Sequence, residues 1–353
     1  MLGLYIHVPF CVSKCTYCDF YSIPLPDEEV LDAYADAVRR ALDAPDVGAG
    51  KQADTLYFGG GTPSLLGARR LTKIIDTAAE KFGLHGAEIT LEVNPGDNLT
   101  ETLSAFVKAG GNRVSVGMQA ADDKTLRWLG RRHAFSDVKR AISDVFHAGI
   151  NNFSLDLLLG VAGQTSQTVQ NSAAFCQSAG ASHVSAYILK IESGVPFCHP
   201  LPEEDTTASL YLSACDALES LGFIQYEISN FSVPGAESRH NLKYWRGEDV
   251  LAIGPAAHGF TRGVRWAYPR DLEYFLKGGE PLPEPVSSLT PEEERAMLRL
   301  RLTEGLPPPV PEAWMENAKR LPRELVRCDG GGIRLTREGF LLSNTVIEKI
   351  LWG

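Results

Sequence analysis

Three cysteines near the start of the chain are the residues best placed to do chemistry. Cys11, Cys15 and Cys18 form a C-x3-C-x2-C run directly after a short apolar stretch. Cysteine thiolates are the usual ligands of iron–sulfur clusters, so three of them can bind three irons of a [4Fe–4S] cube. The fourth iron would then stay open to a small chelating molecule, to which the cluster could pass one electron.

Zinc and disulfides are the two other uses of such cysteines. A structural zinc site usually closes four ligands, often as two separated pairs, and no second C-x2-C pair occurs in this chain. Seven cysteines in 353 residues are also sparse and odd in number for a disulfide framework. The spacing therefore favours an iron–sulfur cluster, with zinc as the alternative.

A glycine run, Phe58-Gly59-Gly60-Gly61-Thr62-Pro63, follows the second predicted strand. Glycine allows a backbone to approach a ligand closely, and exposed backbone amides can bind a carboxylate or amino group. Alone, the run is more typical of a plain turn than of a ligand-binding loop. Because it follows the cysteine loop by one strand, it predicts a ligand-binding loop.

Residues 1 to about 230 alternate short apolar strands with amphipathic helices. The predicted strands are 2–8, 55–58, 89–93, 113–116, 152–158 and 183–189, and the predicted helices are 27–44, 68–82, 100–109, 136–148, 165–179 and 205–221. Glycines at 83, 110, 149, 180 and 222 are typical helix stops. The repeat predicts an α/β fold with a parallel sheet, and six units favour a partial (βα)6 TIM-like barrel over a doubly wound sheet.

In such a barrel, functional residues lie at the carboxyl ends of the strands. The cysteines and the glycine run both follow strand ends, which supports the barrel. We predict three regions: a barrel over 1–230, a connecting region over 231–285, and a small module over 286–353. In the last region a helix should begin at Thr290-Pro291, and a glycine turn should lie at 330–332. This pattern predicts a winged-helix-like α+β module.

Charge and hydropathy narrow the possible partners. The net charge of −10 argues against a nucleic-acid partner. No apolar run reaches the roughly 18 residues that a membrane-spanning helix needs, which leaves only a peripheral membrane contact open. The opening residues lead straight into a strand without signal-peptide features, so we expect a cytoplasmic protein.

Several segments together resemble the radical S-adenosylmethionine (SAM) superfamily. They are Tyr5-Ile6-His7-Val8-Pro9-Phe10-Cys11 with Cys15 and Tyr17-Cys18, the run 58–63, Leu91-Glu92-Val93-Asn94-Pro95, Val116-Gly117-Met118-Gln119, Arg131-Arg132-His133, Asp156-Leu157 and Ser185-Ala186-Tyr187. Within the superfamily, the resemblance is to the branch that contains coproporphyrinogen dehydrogenases and HemW proteins. It extends over nearly the whole chain.

The resemblance implies roles for individual residues, although it assigns no catalytic one. Cys11, Cys15 and Cys18 would ligate the cluster, whose open iron would chelate SAM. The residues that would contact SAM are Tyr5, Tyr17, Gly60, Gly61, Thr62 and Glu92, together with Gln119, Arg131 and Asp156, which match contacts of a second SAM molecule in the dehydrogenase. Glu92 could instead cap a helix, and Arg131 could instead join a surface ion pair.

Three features favour the HemW branch over the dehydrogenases. The dehydrogenases carry an extension before the cluster strand and an extra cysteine after the third ligand, whereas here the strand begins at Leu2 and Asp19 follows Cys18. The run His240-Asn241-Leu242-Lys243-Tyr244-Trp245 matches the H-N-x-x-Y-W pattern of HemW proteins. The implied haem contacts are His240, Asn241, Tyr244 and Trp245, because histidine can ligate haem iron and aromatic rings can pack on a porphyrin. Alternatively, the motif pins a loop and packs a core.

The remaining cysteines predict no second cluster. Cys176 and Cys215 lie on apolar helical stretches and should be buried thiols. Cys198, followed by His199, and Cys328 lie isolated in predicted loops.

The sequence therefore predicts a radical SAM protein of HemW type that binds haem and passes it to haem-requiring client proteins. The alternative is an enzyme that oxidatively decarboxylates coproporphyrinogen III. A third option is radical modification of another tetrapyrrole, such as haem methylation or ring opening.

Overall fold

A twelve-stranded sheet forms the centre of the computed structural model, which describes residues 1–44, 50–285 and 288–353. The strands are β1 (Leu2–Val8), β2 (Phe10–Cys11), β3 (Ile23–Pro24), β4 (Ala53–Gly60), β5 (Glu88–Val93), β6 (Arg113–Gln119), β7 (Phe153–Leu159), β8 (His183–Ile188), β9 (Ile224–Gln225), β10 (Asn230–Ser232), β11 (Val250–Ile253), β12 (His258–Thr261), β13 (Val264–Ala267), β14 (Leu282–Pro283), β15 (Val326–Asp329) and β16 (Gly332–Leu335). The helices are α1 (Glu28–Asp43), α2 (Gly67–Phe82), α3 (Thr100–Lys108), α4 (Asp123–Trp128), α5 (Phe135–His147), α6 (Ser166–Ser178), α7 (Glu204–Ser220), α8 (Arg239–Arg246), α9 (Leu272–Leu276), α10 (Pro291–Arg299), α11 (Glu312–Arg320), α12 (Arg337–Leu341) and α13 (Ser343–Trp352).

Six strands at the centre of the sheet follow one another in chain order. The order is β1-β4-β5-β6-β7-β8, and every neighbouring pair is parallel. Each of these strands overlaps a strand that the sequence predicts, so the α/β fold with a parallel sheet is confirmed. The five predicted glycine stops are also confirmed, because each follows its helix with a positive φ that L-residues rarely adopt.

The two faces of the six strands differ in chemistry because successive side chains point to opposite sides. Leu4, Leu56 and Leu91 are buried in the main apolar cluster, which also includes buried residues of the flanking helices. The alternate positions place polar groups on the other face: Tyr5, Tyr57, Glu92, Ser115, Asp156 and Tyr187. The sheet therefore carries a polar surface towards its carboxyl edge.

Short strands that the sequence does not predict extend both edges of the sheet. On one side β11 lies parallel to β1, and β12 to β14 continue antiparallel. On the other side β10 pairs antiparallel with β8, and β9 pairs with β10. Each of these strands has only two to four residues, too few for an alternating pattern to stand out. Residues 231–285 thus contribute sheet strands as well as connections.

The carboxyl-terminal region contains four helices and a two-stranded hairpin within its described residues, and positions 286–287 of the predicted module lie outside them. Thr290 caps α10 as predicted, since its hydroxyl accepts from the Glu293 amide at 3.2 Å. The predicted glycine turn joins β15 to β16 through Gly330 and Gly331, whose positive φ angles suit a two-residue hairpin loop. The sequence pattern predicts one short strand after this turn, whereas the structure has a strand on each side of it.

None of the helices in the described ranges is both long and apolar enough to cross a membrane.

Candidate functional site

The cysteine loop leaves the carboxyl end of β1 and is tied down by backbone hydrogen bonds. The Ile23 amide donates to the Pro9 carbonyl at 2.7 Å, which pairs the two short strands β2 and β3. Within the loop the Cys18 amide donates to the Cys15 carbonyl at 3.1 Å. Cys11, Cys15 and Cys18 are half-buried free thiols. Burial raises the pKa of Cys18.

The glycine run packs directly against this loop. The Gly61 amide donates to the Val8 carbonyl at 2.8 Å, and the Thr62 amide donates to the Phe10 carbonyl at 2.8 Å. A Cβ on Gly61 would lie 2.7 Å from the Phe10 carbonyl oxygen and 3.0 Å from Cys11 Sγ. Glycine is therefore required here for close approach, and the two loops lie in direct contact.

Arg131 contacts the cysteine loop at Cys15 and Tyr17. Its guanidinium donates to Cys15 Sγ at 3.3 Å and lies 3.4 Å from the Tyr17 hydroxyl. The same group donates to Asn94 Oδ1 at 2.7 Å and to the Gly117 carbonyl at 3.0 Å. These contacts place Arg131 within the site, where it fixes the loop, and not in a surface ion pair.

Asn94 is a site residue for which the sequence predicts no role. Its side-chain amide donates to Thr62 Oγ1 at 2.7 Å, while its carbonyl oxygen accepts from Arg131. Asn94 thus links the glycine loop to the arginine that holds the cysteine loop. Its position directly after β5, within the quoted L-E-V-N-P segment, is the sequence feature that could have identified it.

Glu92 lies at the carboxyl end of β5, next to the glycine run. Its carboxylate accepts from the Tyr57 hydroxyl at 2.7 Å and from the Gly60 amide at 3.2 Å. Burial raises the pKa of Glu92 to about 7, and the charge of Asp156 adds to this effect, while its two hydrogen bonds oppose it. Glu92 therefore orients the glycine loop through these two bonds.

Two other predicted SAM contacts, Tyr5 and Asp156, lie on the same polar face. Asp156 accepts from the Ser115 hydroxyl at 3.1 Å, and burial raises its pKa. The Tyr5 hydroxyl lies 3.2 Å from His7 Nδ1. Gln119 ends β6 with φ 70°, which is a strained conformation for a residue other than glycine. Such strain is typical of positions where a site dictates the backbone.

The donors present fit a [4Fe–4S] cluster and a small chelating ligand. Three thiols lie on one loop, and the bare Cα of Gly61 leaves room beside Cys11. Across the described ranges, no three His, Cys, Asp or Glu side chains converge on a point that could hold a single metal ion. A cube does not require such convergence, because each of the three thiolates binds a different iron.

The H-N-x-x-Y-W motif lies at the opposite end of the sheet. It forms α8, which packs at the amino ends of β4 and β5. His240 is only 2% exposed, and burial lowers its pKa to about 3. Its Nδ1 lies 2.8 Å from Thr55 Oγ1, its Nε2 lies 3.4 Å from the Tyr244 hydroxyl, and its ring stacks on Tyr57 with centroids 5.1 Å apart.

This geometry does not present the four motif residues as one surface for a porphyrin. Both ring nitrogens of His240 have partners inside the protein, Asn241 and Trp245 are half-buried, and Tyr244 is 38% exposed. In this conformation the motif closes the amino end of the sheet. Its role in binding haem stays a prediction, and it would require α8 to move.

We expect Glu88→Ala to destabilise the start of α8. The Glu88 carboxylate accepts from the backbone amides of Arg239 and His240 at 3.1 and 3.0 Å. Alanine would leave both donors without this acceptor, and because the His240 amide is buried, the cost should be about 1–3 kcal/mol. Urea unfolding would measure this loss. Glu203→Ala is the control, since Glu203 precedes α7 without a side-chain cap bond. Equal stability of the two variants would contradict this prediction.

Comparison with known proteins agrees with this geometry. Residues 5–176 match the Radical SAM superfamily. The heme chaperone HemW of Mycobacterium tuberculosis is 34% identical over 99% of this chain and 94% of its own, and that of Lactococcus lactis is 31% identical over 98% and 96%. The heme chaperone HemW of Escherichia coli is 36% identical over 78% of this chain and 76% of its own.

The fold is also found among solved structures. Coproporphyrinogen III oxidase (HemN) from Escherichia coli superimposes with a TM-score of 0.78 and covers 99% of this chain and 89% of its own. The two sequences are only 19% identical, so this likeness shows the fold alone. The Radical SAM match and the HemW relatives, two of which are covered over 94–96% of their length, show that the chain belongs to the radical SAM superfamily and, within it, to the heme chaperone HemW family.

Proposed function

We propose that this protein binds haem and delivers it to haem-requiring client proteins. The observation that carries the proposal is the match to HemW relatives named heme chaperones, at 31–34% identity over 98–99% of the chain. The solved coproporphyrinogen III oxidase (HemN) of Escherichia coli is likened to this chain by its fold alone. No observation of the site favours decarboxylation of coproporphyrinogen III over haem delivery.

Membership of the radical SAM superfamily implies a [4Fe–4S] cluster and SAM. We propose that Cys11, Cys15 and Cys18 hold the cluster, which when bound supplies one electron to the sulfonium of SAM. The residues proposed to line SAM are Tyr5, Tyr17, Gly60, Gly61, Thr62, Glu92, Gln119, Arg131 and Asp156. Support comes from the hydrogen bonds that join the cysteine loop, the glycine run and Arg131 into one network.

The finer architecture is part of the same proposal. We propose that the six parallel strands curve into a partial (βα)6 barrel over residues 1–230, with the polar strand face inside. Residues 231–285 would be the connecting region, and 286–353 the winged-helix-like module. We also propose a cytoplasmic location, which the seven free cysteines support because a reducing compartment preserves thiols.

Anaerobic titration of the cluster-reconstituted protein with haem tests the function. We expect stoichiometric binding of haem. When an apo-haem protein is then added, the haem should transfer to it from the complex. In parallel, the protein is incubated with coproporphyrinogen III, reductant and SAM. Protoporphyrinogen formed over many turnovers, or no binding of haem, would refute the chaperone assignment.

We expect SAM affinity to depend on pH through Glu92. Its pKa of about 7 means that the carboxyl is mostly protonated at pH 6 and mostly ionised at pH 8. Only the ionised form can accept a hydrogen bond from the SAM amino group with both oxygens, so this contribution grows as pH rises. The ratio of wild-type to Glu92→Gln affinity should increase about tenfold between pH 6 and pH 8.

Equilibrium dialysis at both pH values measures this ratio. The Gln variant is a matched control, because it keeps the shape but does not titrate, and because it cancels titration of SAM itself. A ratio that does not change with pH would remove Glu92 from contact with SAM.

A further inference from the structure

Three rings outside the site form a mutually packed group that includes an exposed imidazole. Trp128 ends α4, and Phe197 and His199 lie in the loop between β8 and α7. The ring centroids lie 5.3 Å apart for Trp128–Phe197, 5.3 Å for Trp128–His199 and 5.5 Å for Phe197–His199. We call these three residues the aromatic platform.

The platform is anchored next to the cysteine loop. Trp128 and Phe197 pack on a small apolar cluster that is separate from the main core, and Tyr17, between Cys15 and Cys18, packs on the same cluster. Its buried members are Leu129, Leu158, Val161 and Leu189. Leu158 and Leu189 lie at the carboxyl ends of β7 and β8, so the platform borders the mouth of the candidate site.

His199 is available as a ligand in a way that His240 is not. Its side chain is exposed, and its ring nitrogens have no hydrogen-bond or ion-pair partner among the residues that the structure describes. An imidazole needs a free nitrogen to ligate haem iron. The platform holds this ring against Trp128 and Phe197, which reduces the rotamer freedom that iron binding would otherwise cost.

Two unpaired cations lie beside the platform. Lys124 and Arg127 are exposed on α4, within one turn of Trp128, and neither makes an ion pair within the described part of the chain. Haem carries two propionates, which are ionised at neutral pH. The chain as a whole has a net charge of −10, so two unpaired cations mark a place where the propionates would be attracted and not repelled. A planar porphyrin can also pack on the indole face.

We propose that the aromatic platform is the haem-docking site of this protein, with His199 as an axial ligand of the iron. Trp128 packs against the porphyrin, and Lys124 and Arg127 bind the propionates. The inference rests on the proposed function and names the place where haem is held. Binding is coordination alone, with no redox step. It places haem at the carboxyl end of the sheet, on the same side as the cysteine loop.

Haem titration of the full, cluster-reconstituted chain tests the platform. We expect His199→Ala to weaken haem affinity at least tenfold and to shift the Soret and charge-transfer absorption bands of the bound haem, which respond to the axial ligand. Added imidazole should restore the bands, which a merely structural role would not explain. The joint change Lys124→Ala with Arg127→Ala should weaken affinity without altering the bands. His85→Ala, which removes another exposed imidazole, is the matched control.

The outcomes separate the inference from the proposed function. If the wild type binds no haem, the function itself fails. If the wild type binds haem and His199→Ala behaves like His85→Ala, the platform is overturned and the function stands. Loss of the axial ligand in His240→Ala, with His199→Ala unaffected, would assign the iron to α8 and would equally overturn the platform.

Discussion

Cys15→Ala is expected to abolish cluster assembly. Two remaining thiolates cannot hold three irons of a cube, and Cys15 is also the sulfur to which Arg131 donates, at 3.3 Å. After anaerobic reconstitution and gel filtration, the variant should keep less than about a tenth of the wild-type iron and sulfide and lose the broad visible absorption. SAM binding should fall with the cluster, because the open iron would be its main anchor.

Cys328→Ala is the matched control for this experiment. Cys328 is an exposed thiol on β15, far along the chain from the cysteine loop. It should reconstitute with the wild-type iron content. Both unreconstituted variants should melt like the wild-type apoprotein, since neither side chain belongs to the buried core. Four irons per chain in Cys15→Ala would refute the cluster assignment.

Gly61→Val is expected to have the second-largest effect on the site. The first side-chain carbon alone would lie 2.7 Å from the Phe10 carbonyl oxygen and 3.0 Å from Cys11 Sγ. The Phe10 oxygen belongs to the backbone and cannot rotate away, so the two loops must separate. The cost should be about 1–3 kcal/mol. Iron content after reconstitution should fall several-fold, because Cys11 is displaced.

Gly67→Ala separates loop displacement from backbone strain. Gly67 lies one short helical turn after Gly61, has φ 73°, and has no atom within 4 Å of its added Cβ. Alanine there should reduce stability by about 1–3 kcal/mol through strain alone and leave the iron content unchanged. Full cluster loading of Gly61→Val would show that the glycine loop does not need its close contact with the cysteines.

The sequence predicts the repeating part of the fold because that part depends on local patterns. Apolar runs of strand length, amphipathic helices and glycine stops recur along residues 2–222. Each of these patterns predicts a strand, a helix or a helix end from neighbouring residues alone. Parallel order in the sheet then follows from the crossovers. The short edge strands β11 to β14 escape prediction because a strand of two to four residues takes its conformation from its neighbours in the sheet.

The sequence likewise predicts only part of the candidate site. The spacing of Cys11, Cys15 and Cys18 and the glycine run are visible in the sequence because each is a run of residues within a few positions of each other. The roles of Arg131 and Asn94 are not visible, because Arg131 reaches Cys15 across 116 positions and Asn94 reaches Thr62 across 32. No local pattern encodes such partners.

The H-N-x-x-Y-W motif shows most clearly what the sequence does not predict. By itself the sequence determined the parallel α/β architecture and the family resemblance and predicted three cysteines as cluster ligands, since all three depend on residue types at short spacing. Only the tertiary structure decided that His240 is enclosed at the amino end of the sheet while His199 stands exposed beside the cysteine loop. Exposure and hydrogen bonding are properties of the packed chain, and a histidine carries no local mark of either.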